Sequence, residues 1–510
     1  MASQDELRSA RLNKINKLKS LNINPYPARS FRDMSIKDVL DNFDKLSSVA
    51  KNITLAGRIH SLRGHGKILF ADLADEFFKI QLVLKFDALG EEKFSMFKDL
   101  IDSGDFLQAT GTLFKTEKGE RSLSVSDFKL LTKSLIPLPD DWYGLEDMET
   151  RLRKRYVDLA VNMKTREMFR QKSVFWQTLR QFLVEKNFLE VEVPVLENVP
   201  GGADAEPFVT HHNALDRDFY LRISLELPLK RLLVGGFEKV FEIGRIFRNE
   251  GIDTEHLQDY TQLEFYWAYA DYNDMMKLVQ EMYQKTIQKV TGGLKTKFGD
   301  TTINWDGNWP KVKYFDLLSK EWGIDAQNAS TKDLYNLAEK FSLKLERGLG
   351  RGRLLDQIYK KTIRSKLVQP QFLILPPVDI EPLAKRDEEN PDLVERFQVM
   401  AAGSELGKGF SELNDPEDQL ARFEEQTKLR DQGDKEAQRL DADFVEALEY
   451  GMPPTAGFGL SERLFAVLMD KSVRETVLFP PMHLKDGSGL LPKNDSPKKL
   501  NIFRKIFKKK

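Results

Sequence analysis

The stretch Val240-Phe-Glu-Ile-Gly-Arg-Ile-Phe-Arg-Asn-Glu-Gly-Ile-Asp253, taken with Leu263-Glu-Phe-Tyr266 just downstream, decides how the larger part of this chain folds. Aromatic and β-branched residues at both ends with charges between them read as a strand, a charged turn and a second strand. Arg248 and Glu250 fall where the first strand runs out. Two residues apart in extended backbone, they point the same way. The planar fork of Arg248 can pair with a phosphate, and Glu250 can accept from an amino-rich base. Arg463, in Gly457-Phe-Gly-Leu-Ser-Glu-Arg463, offers a second phosphate partner. Taken singly, each piece also reads as a surface ion pair on a hairpin, worth little.

Outward from this hairpin, strands and helices alternate between about residue 165 and the end of the chain. Met168, Phe175, Leu179 and Phe182 have helical spacing and predict a helix to about Glu185. Further strands are expected at Phe219–Ile223, Lys239–Ile243, Leu263–Tyr266, Gln371–Leu375 and Ala456–Gly459, with a mostly helical decoration over 270–365 that includes Tyr272–Val290 and Thr331–Leu345. That is an α+β domain on a mainly antiparallel sheet. Residues 52–132 differ: five short strands (Ile53–Ile59, Ile68–Ala71, Lys79–Leu84, Phe106–Thr112 and Ser122–Ser126) in about 80 residues suggest a small closed barrel of the oligonucleotide-binding kind. Ahead of it, Leu7, Leu12, Ile15 and Leu18 among charges predict a polar amphipathic helix, ended by Asn24-Pro-Tyr-Pro27. The expected organisation is an N-terminal helical extension over 1–50, the barrel over 51–135, a charged linker over 136–164, the large domain over 165–490 and a basic tail over 491–510.

The chain has 510 residues, 41% hydrophobic and 31% charged, the composition of an ordinary soluble globular protein. No apolar run is long enough to span a bilayer, and the N-terminus lacks the apolar core of a secretory signal, so a cytoplasmic location without membrane insertion is expected. With no cysteine, disulfides, thiolate zinc sites and a Cys nucleophile are excluded. A net charge of −1 means that any nucleic-acid contact relies on local basic patches. The six histidines lack the spacing of a helical zinc site, and the adjacent His211-His212 would face opposite ways on a strand. The tail from Pro497 to Lys510 is basic and studded with Ile and Phe; it reads as a solvated chain end, or as an RNA- or membrane-contacting segment.

Longer motifs add a resemblance. Pro200-Gly-Gly-Ala203, Phe208-Val-Thr-His-His-Asn213, Arg248-Asn-Glu-Gly251, Gly409-Phe-Ser-Glu-Leu-Asn-Asp-Pro416 and Glu446-Ala-Leu-Glu-Tyr-Gly-Met-Pro-Pro-Thr-Ala456 resemble the class II aminoacyl-tRNA synthetases, and within them the lysyl-tRNA synthetases, over about residues 20–485. The resemblance implies a five-stranded OB-fold barrel that binds the anticodon, followed by a class II catalytic domain built on an antiparallel sheet with flanking helices. It implies ATP, L-lysine and tRNA-Lys as substrates, Mg2+ bound with ATP, and a homodimer through Phe188-Leu-Glu-Val-Glu-Val-Pro194. Matching positions assign Arg248 to the α-phosphate, Arg463 to the γ-phosphate, Glu250 to the adenine amino group, His256 to the loop over the phosphates and Tyr260 to adenine stacking. Glu405 would serve ATP and metal; Gln398 and Glu412 stand at the remaining metal positions. Gly202, Glu226, Arg248, Glu264, Tyr266, Phe410 and Glu412 would form the lysine pocket, and Phe70, Gln81 and Glu120 the anticodon contacts.

The chain departs from that pattern in places. Lys408 stands where the family usually has Asn, and would repel a lysine substrate unless it pairs with a carboxylate or turns away. Gln398 replaces an acidic residue and weakens any ion held there. Gly457–Arg463 is about one residue short, which puts the aim of Arg463 in question. Glu206 falls where a basic residue is common, and Val193 replaces Thr. The other readings are an aspartate- or asparagine-type ligase, against which Glu226 and Glu412 argue by repelling an acidic side chain, and a tRNA-binding paralogue without catalysis.

Overall fold

The computed structural model describes residues 3–139, 145, 147–251, 256–345, 348–431 and 437–482; the basic tail, residues 252–253 of the charged turn, the last residues of the large domain and part of the expected linker lie outside them. The chain forms two compact units, Met1–Arg166 and Glu167–Lys510.

In the first unit, the strands Ile53–His65, Ile68–Ala74, Lys79–Lys85, Arg121–Thr132 and Phe106–Lys115 close, in that order, into a barrel. Each expected strand is present, and most run longer than their apolar cores. Parallel pairing of Gln81–Leu84 with Ser122–Val125 completes the ring. Alternate residues such as Leu55, Ala71, Leu73, Leu82, Leu107, Leu123 and Val125 are buried, the period-2 pattern of a filled small barrel. A Cβ at Gly111 would lie 2.0 Å from the Ser124 carbonyl oxygen, so glycine is what lets these two strands approach. The helix Phe86–Leu100, absent from the sequence reading, buries Phe94, Phe97 and Leu100 in the barrel core. The N-terminal helix Gln4–Ser20 stops ahead of the Pro-rich segment, and the expected charged linker holds two short helices, Met148–Arg153 and Arg155–Val161.

In the second unit an eight-stranded sheet runs Lys311–Lys313, Gln371–Ile374, Arg396–Ala401, Ser404–Ser411, Thr455–Ser461, Asp259–Ala268, Lys239–Phe247, Leu189–Glu190. Only the two outermost pairings are parallel. The opening hairpin is there as expected, Lys239–Phe247 antiparallel to Asp259–Ala268. Arg217–Leu221 is not in this sheet: it pairs with Leu196–Glu197 and Val209–His212 in a separate small one. The helix at 331 ends at Lys340, since Ser342 turns to positive φ.

Two helices, Met163–Glu185 and Tyr272–Thr291, cover one face of the sheet. Phe175, Leu179 and Phe182 from the first and Met275, Val279, Met282 and Ile287 from the second pack on Phe241, Leu263, Phe265, Phe397, Val399 and Phe458. Asp271 caps the second helix by accepting from the Asn273 and Asp274 amides, and Gly292 ends it with φ 80°. Because side chains alternate along a strand, the residues between these core positions (Glu264, Tyr266, Arg396 and Gln398) point to the opposite face. The functional cavities lie there.

Candidate active site

One irregularity in the sheet shapes the site. Gln398 pairs with Lys408 and Val399 with Gly407, but Met400 pairs with Glu405, so Leu406 is an extra residue on its strand. Leu406 packs into the helix-covered core, and a Cβ on Gly407 would meet Phe458 and Tyr283 of that same core. The two consecutive residues share a face, and the bulge shifts the alternation by one. Glu405 therefore lines the same cavity as Lys408, Phe410 and Glu412.

That cavity, about 270 Å³, holds most of the expected residues: Gly202, Glu226, Arg248, Tyr260, Glu264, Tyr266, Glu405, Phe410, Glu412 and Arg463 all line it. Its floor is a buried charge cluster. Lys230, one helical turn after Glu226 on Glu226–Val234, reaches Glu226 at 2.6 Å and makes an ion pair with Glu412. The Lys230 ammonium also lies 5.3 Å from the Phe410 ring centre. Two carboxylates and one ammonium leave the cluster one negative charge in excess when all three are ionised. Glu412 Oε2 faces the Lys230 ammonium, whereas Oε1 is buried without a hydrogen-bond donor among the described residues, acceptor capacity that a folded interior seldom leaves unused. Burial pushes the Glu226 carboxyl up to about 7, against the pull of Lys230. Glu412 is raised further by the same burial, and the two carboxylates hold Lys230 charged.

Glu264 is differently placed. Ser224 Oγ, the Leu225 amide and Gln262 Nε2 donate to its Oε1 at 2.7, 3.0 and 2.6 Å, and the Tyr266 hydroxyl donates to Oε2 at 3.0 Å. Four donors fix its orientation as a wall of the pocket. Bare backbone is needed opposite: a Cβ on Gly457 would sit 2.1 Å from Glu412 Oε1 and 2.4 Å from the Tyr266 ring.

At the other end of the cavity stand the two arginines. Arg248 Nε donates to the Ile223 carbonyl at 3.2 Å, and its guanidinium lies 5.7 Å from the Tyr260 ring centre. Arg463 opens the helix Arg463–Leu468 immediately after the short glycine-rich strand, and its Nη1 donates to the Glu405 carbonyl at 3.1 Å. The shortened strand still delivers it to the cleft. Both arginines also line an adjoining cavity of about 480 Å³ with Glu250, His256 and Tyr260. Lys408 is paired with a carboxylate while lining the same cavity: its ammonium sits 3.1 Å from each Glu381 oxygen and 5.8 Å from the Phe410 ring centre. Gln398 Nε2 donates to Glu405 Oε2 at 2.5 Å, and Glu206, exposed, accepts the Asn249 amide through its carbonyl.

The sequence reading missed Lys230, Asp204 and Glu381. Lys230 was signalled by its i, i+4 spacing from Glu226; Asp204 and Glu381 carry no local signal, and only the fold brings them to the cleft.

Residues 147–483 match the family described as "tRNA synthetases class II (D, K and N)", and residues 53–131 match the OB-fold nucleic acid binding domain. The chain is 45% identical to the lysine–tRNA ligase of Carboxydothermus hydrogenoformans over 94% of its own length and 99% of that protein's. It is 43% identical to that of Thermoanaerobacter pseudethanolicus, over 96% and 97%, and 44% identical to lysine–tRNA ligase 2 of Methanosarcina mazei, over 94% of each. The chain belongs to the lysine branch of the class II tRNA synthetases. In this synthetase two of the barrel residues expected at the anticodon, Phe70 and Gln81, share one outer face. Phe70 pairs with Val83 and Asp72 with Gln81, while Ala71 and Leu73 between them fill the core. Phe70 is half-exposed, with the Arg63 guanidinium 6.0 Å from its ring centre. Gln81 Oε1 accepts from Ser122 Oγ at 3.1 Å, and Glu120 is exposed at the turn before the last strand.

Proposed function

We propose that this synthetase activates L-lysine with ATP and passes the lysyl group to the 3′ end of tRNA-Lys. The observation that carries the reading is Glu412: a buried carboxylate whose Oε1 lacks a donor, in a cluster with one excess negative charge when all three groups are ionised. A lysine ammonium supplies both the missing donor and the missing charge. Glu226 then faces the substrate amines from the helix below, and Phe410 and Tyr266 wall the alkyl chain. An aspartate or asparagine side chain offers neither, and would meet Glu412 and Glu226 as repulsion or as an unpaired charge.

The carboxylate of lysine attacks the α-phosphorus of ATP; the bond to the β-phosphate oxygen breaks and pyrophosphate leaves. No protein nucleophile is required, only positioning and charge stabilisation. Arg248 offers its guanidinium to the α-phosphate, and Arg463 to the γ-phosphate. Glu250 accepts from the adenine amino group, Tyr260 presents its ring to the base, and His256 stands at the outer cavity. For Mg2+, Glu405 and the phosphates make a suitable oxygen set, since Mg2+ commonly rests on one or two carboxylates plus phosphate oxygens. Bound there, the ion would add Lewis-acid charge neutralisation. Glu412 is committed to the lysine pocket and Gln398 offers no anion, so the residues fit one such ion.

The reading extends to the rest of the molecule. The 51–135 segment serves as the anticodon-binding domain, with Phe70 and Gln81 on its reading face and Glu120 at the turn before the last strand, and 165–490 as the catalytic domain. The edge strand Leu189–Glu190 and the exposed Val195, Leu196 and Val209 support a homodimer through that side. No helix among the described residues is long and apolar enough to cross a membrane, which accords with a cytoplasmic enzyme.

Amino-acid-dependent ATP–pyrophosphate exchange tests the assignment. Lysine should support exchange where aspartate and asparagine do not; exchange driven by aspartate, or tRNA binding with no exchange at all, would overturn it. The same assay has a pH signature. Free Glu226 holds its proton up to about 7, against an ordinary value of 4.5. Over that interval the folded protein binds a proton that the unfolded chain has lost, so the empty enzyme loses stability as pH rises from 4.5 to 7. Bound lysine favours the ionised carboxylate and expels that proton. Lysine affinity should therefore strengthen by up to about tenfold per pH unit for each carboxyl that ionises on binding, Glu226 contributing below 7 and Glu412, raised further, carrying the rise above it, measurable by calorimetry in buffers of differing ionisation heat.

A further inference from the structure

The glycine-rich strand Thr455–Ser461 makes its last rung with the strand beside it at Ser461, opposite Gln262. Thr261 lies one place beyond that rung, and the residue that continues the register opposite it is Glu462. Glu462 has already left the strand. Its carbonyl accepts from the Ala466 amide at 3.0 Å and so opens the helix that begins at Arg463. The side chain makes the rung instead: Glu462 Oε1 accepts the Thr261 amide at 3.0 Å. The other oxygen, Oε2, accepts from Lys172 Nζ at 2.6 Å, and Lys172 donates in turn to the Thr476 carbonyl at 2.8 Å. Lys172 comes from the helix Met163–Glu185. The Arg245 guanidinium approaches Oε1 to 3.8 Å, but it is committed to Asp259 at 2.7 Å and to Thr261 Oγ1 at 3.1 Å. Glu462 is 1% exposed. Burying such a carboxylate is costly unless it is paired and hydrogen-bonded, and both conditions are met here.

We propose that the Glu462–Lys172 pair is the positioning device for Arg463, a side-chain rung standing in for the backbone rung that the short strand does not supply. The inference rests on the reading of Arg463 as the γ-phosphate partner. Three constraints meet on the one residue that precedes Arg463: the new helix holds its carbonyl, the adjacent strand holds Oε1, and the long helix holds Oε2. Arg463 therefore leaves the backbone at a fixed place, and its guanidinium meets the Glu405 carbonyl at 3.1 Å. Thr261 is also the neighbour of Tyr260, so the same carboxylate ties the phosphate end of the cleft to the residue assigned to the adenine. Reach matters as well as charge, because an aspartate is one methylene too short to keep both partners. Glu462 borders only the outer cavity, and neither it nor Lys172 lines the lysine cavity. The device thus acts on the nucleotide step.

The test is single-turnover adenylate formation by the full-length protein. Glu462→Gln and Lys172→Met should each slow it by roughly 10–10²-fold, the cost of displacing a charge partner by about an ångström. Lysine binding without ATP, read by calorimetry, should stay at the wild-type value and verifies that each variant is folded. Glu462→Asp should resemble Glu462→Gln, since it keeps the charge and loses the reach. The decisive readout is coupling to Arg463. In an Arg463→Ala background, Glu462→Gln should cost less than about threefold more, because nothing is left to aim. Losses that multiply in full, or a wild-type rate in any of the three single variants, would overturn the proposal and leave the ATP reading intact. A parallel loss of lysine binding would also overturn it, by making the pair a general support of the fold. An Arg463→Ala variant as fast as the wild type would remove both the proposal and the reading beneath it.

Discussion

Glu412→Gln should raise the Michaelis constant for lysine by roughly 10²–10³-fold, the range expected when one member of a buried charge set is removed. The geometry makes the effect large. Glu412 is buried, its Oε1 has no donor among the described residues, and Lys230 leans on its Oε2 as well as on Glu226. With the charge gone, Lys230 and the substrate ammonium must share Glu226 alone. Discrimination should fall along with affinity. A neutral isostere of lysine, which leaves Glu412 unpaired in the wild type, should compete far better in the variant. Exchange kinetics with lysine and the isostere read both quantities. An unaltered preference for lysine would sink the assignment of this pocket.

Arg463→Ala should lower kcat/KM for adenylate formation by about 10³-fold, the usual cost of losing a transition-state charge partner. Lysine binding without ATP should stay near its wild-type value, because the Arg463 guanidinium is held at the Glu405 carbonyl and not in the acidic cluster. Arg463→Lys should recover only part of the loss, since a point charge does not reproduce a planar fork. Single-turnover adenylate formation is the measurement. A fall of less than about tenfold in the Ala variant would mean that the phosphate load is carried elsewhere.

The hairpin from Val240 to Tyr266 was legible because its apolar pattern is local and its charged turn is short. So were the five barrel strands and the long helices, each with a clear period. The strands Arg396–Ala401 and Ser404–Ser411 were not legible, although they sit in the middle of the sheet and carry Gln398, Glu405, Lys408 and Phe410. The first is buried on both faces and shows no alternation. The second is rich in glycine, and its bulge destroys the period of two. Their residues entered the site reading through family motifs alone. Lys408 shows the limit of that route: a motif position told that the residue was unusual, but only the fold brings Glu381 to within reach of its ammonium. Phe70 illustrates the same point in the barrel, where sequence could not separate a core phenylalanine from a surface one and the strand register does.

The extra residue at Leu406 has a consequence for anyone altering this enzyme. It splits one strand into two reading frames: residues 408, 410 and 412 keep even parity toward the substrate, whereas 405 answers to odd parity. Deleting Leu406 would restore a regular ladder that leaves Glu405 two places before Lys408 and still on the cleft face, at the loss of one core side chain. The bulge is what reconciles the odd spacing of Glu405 from Lys408 with a shared face.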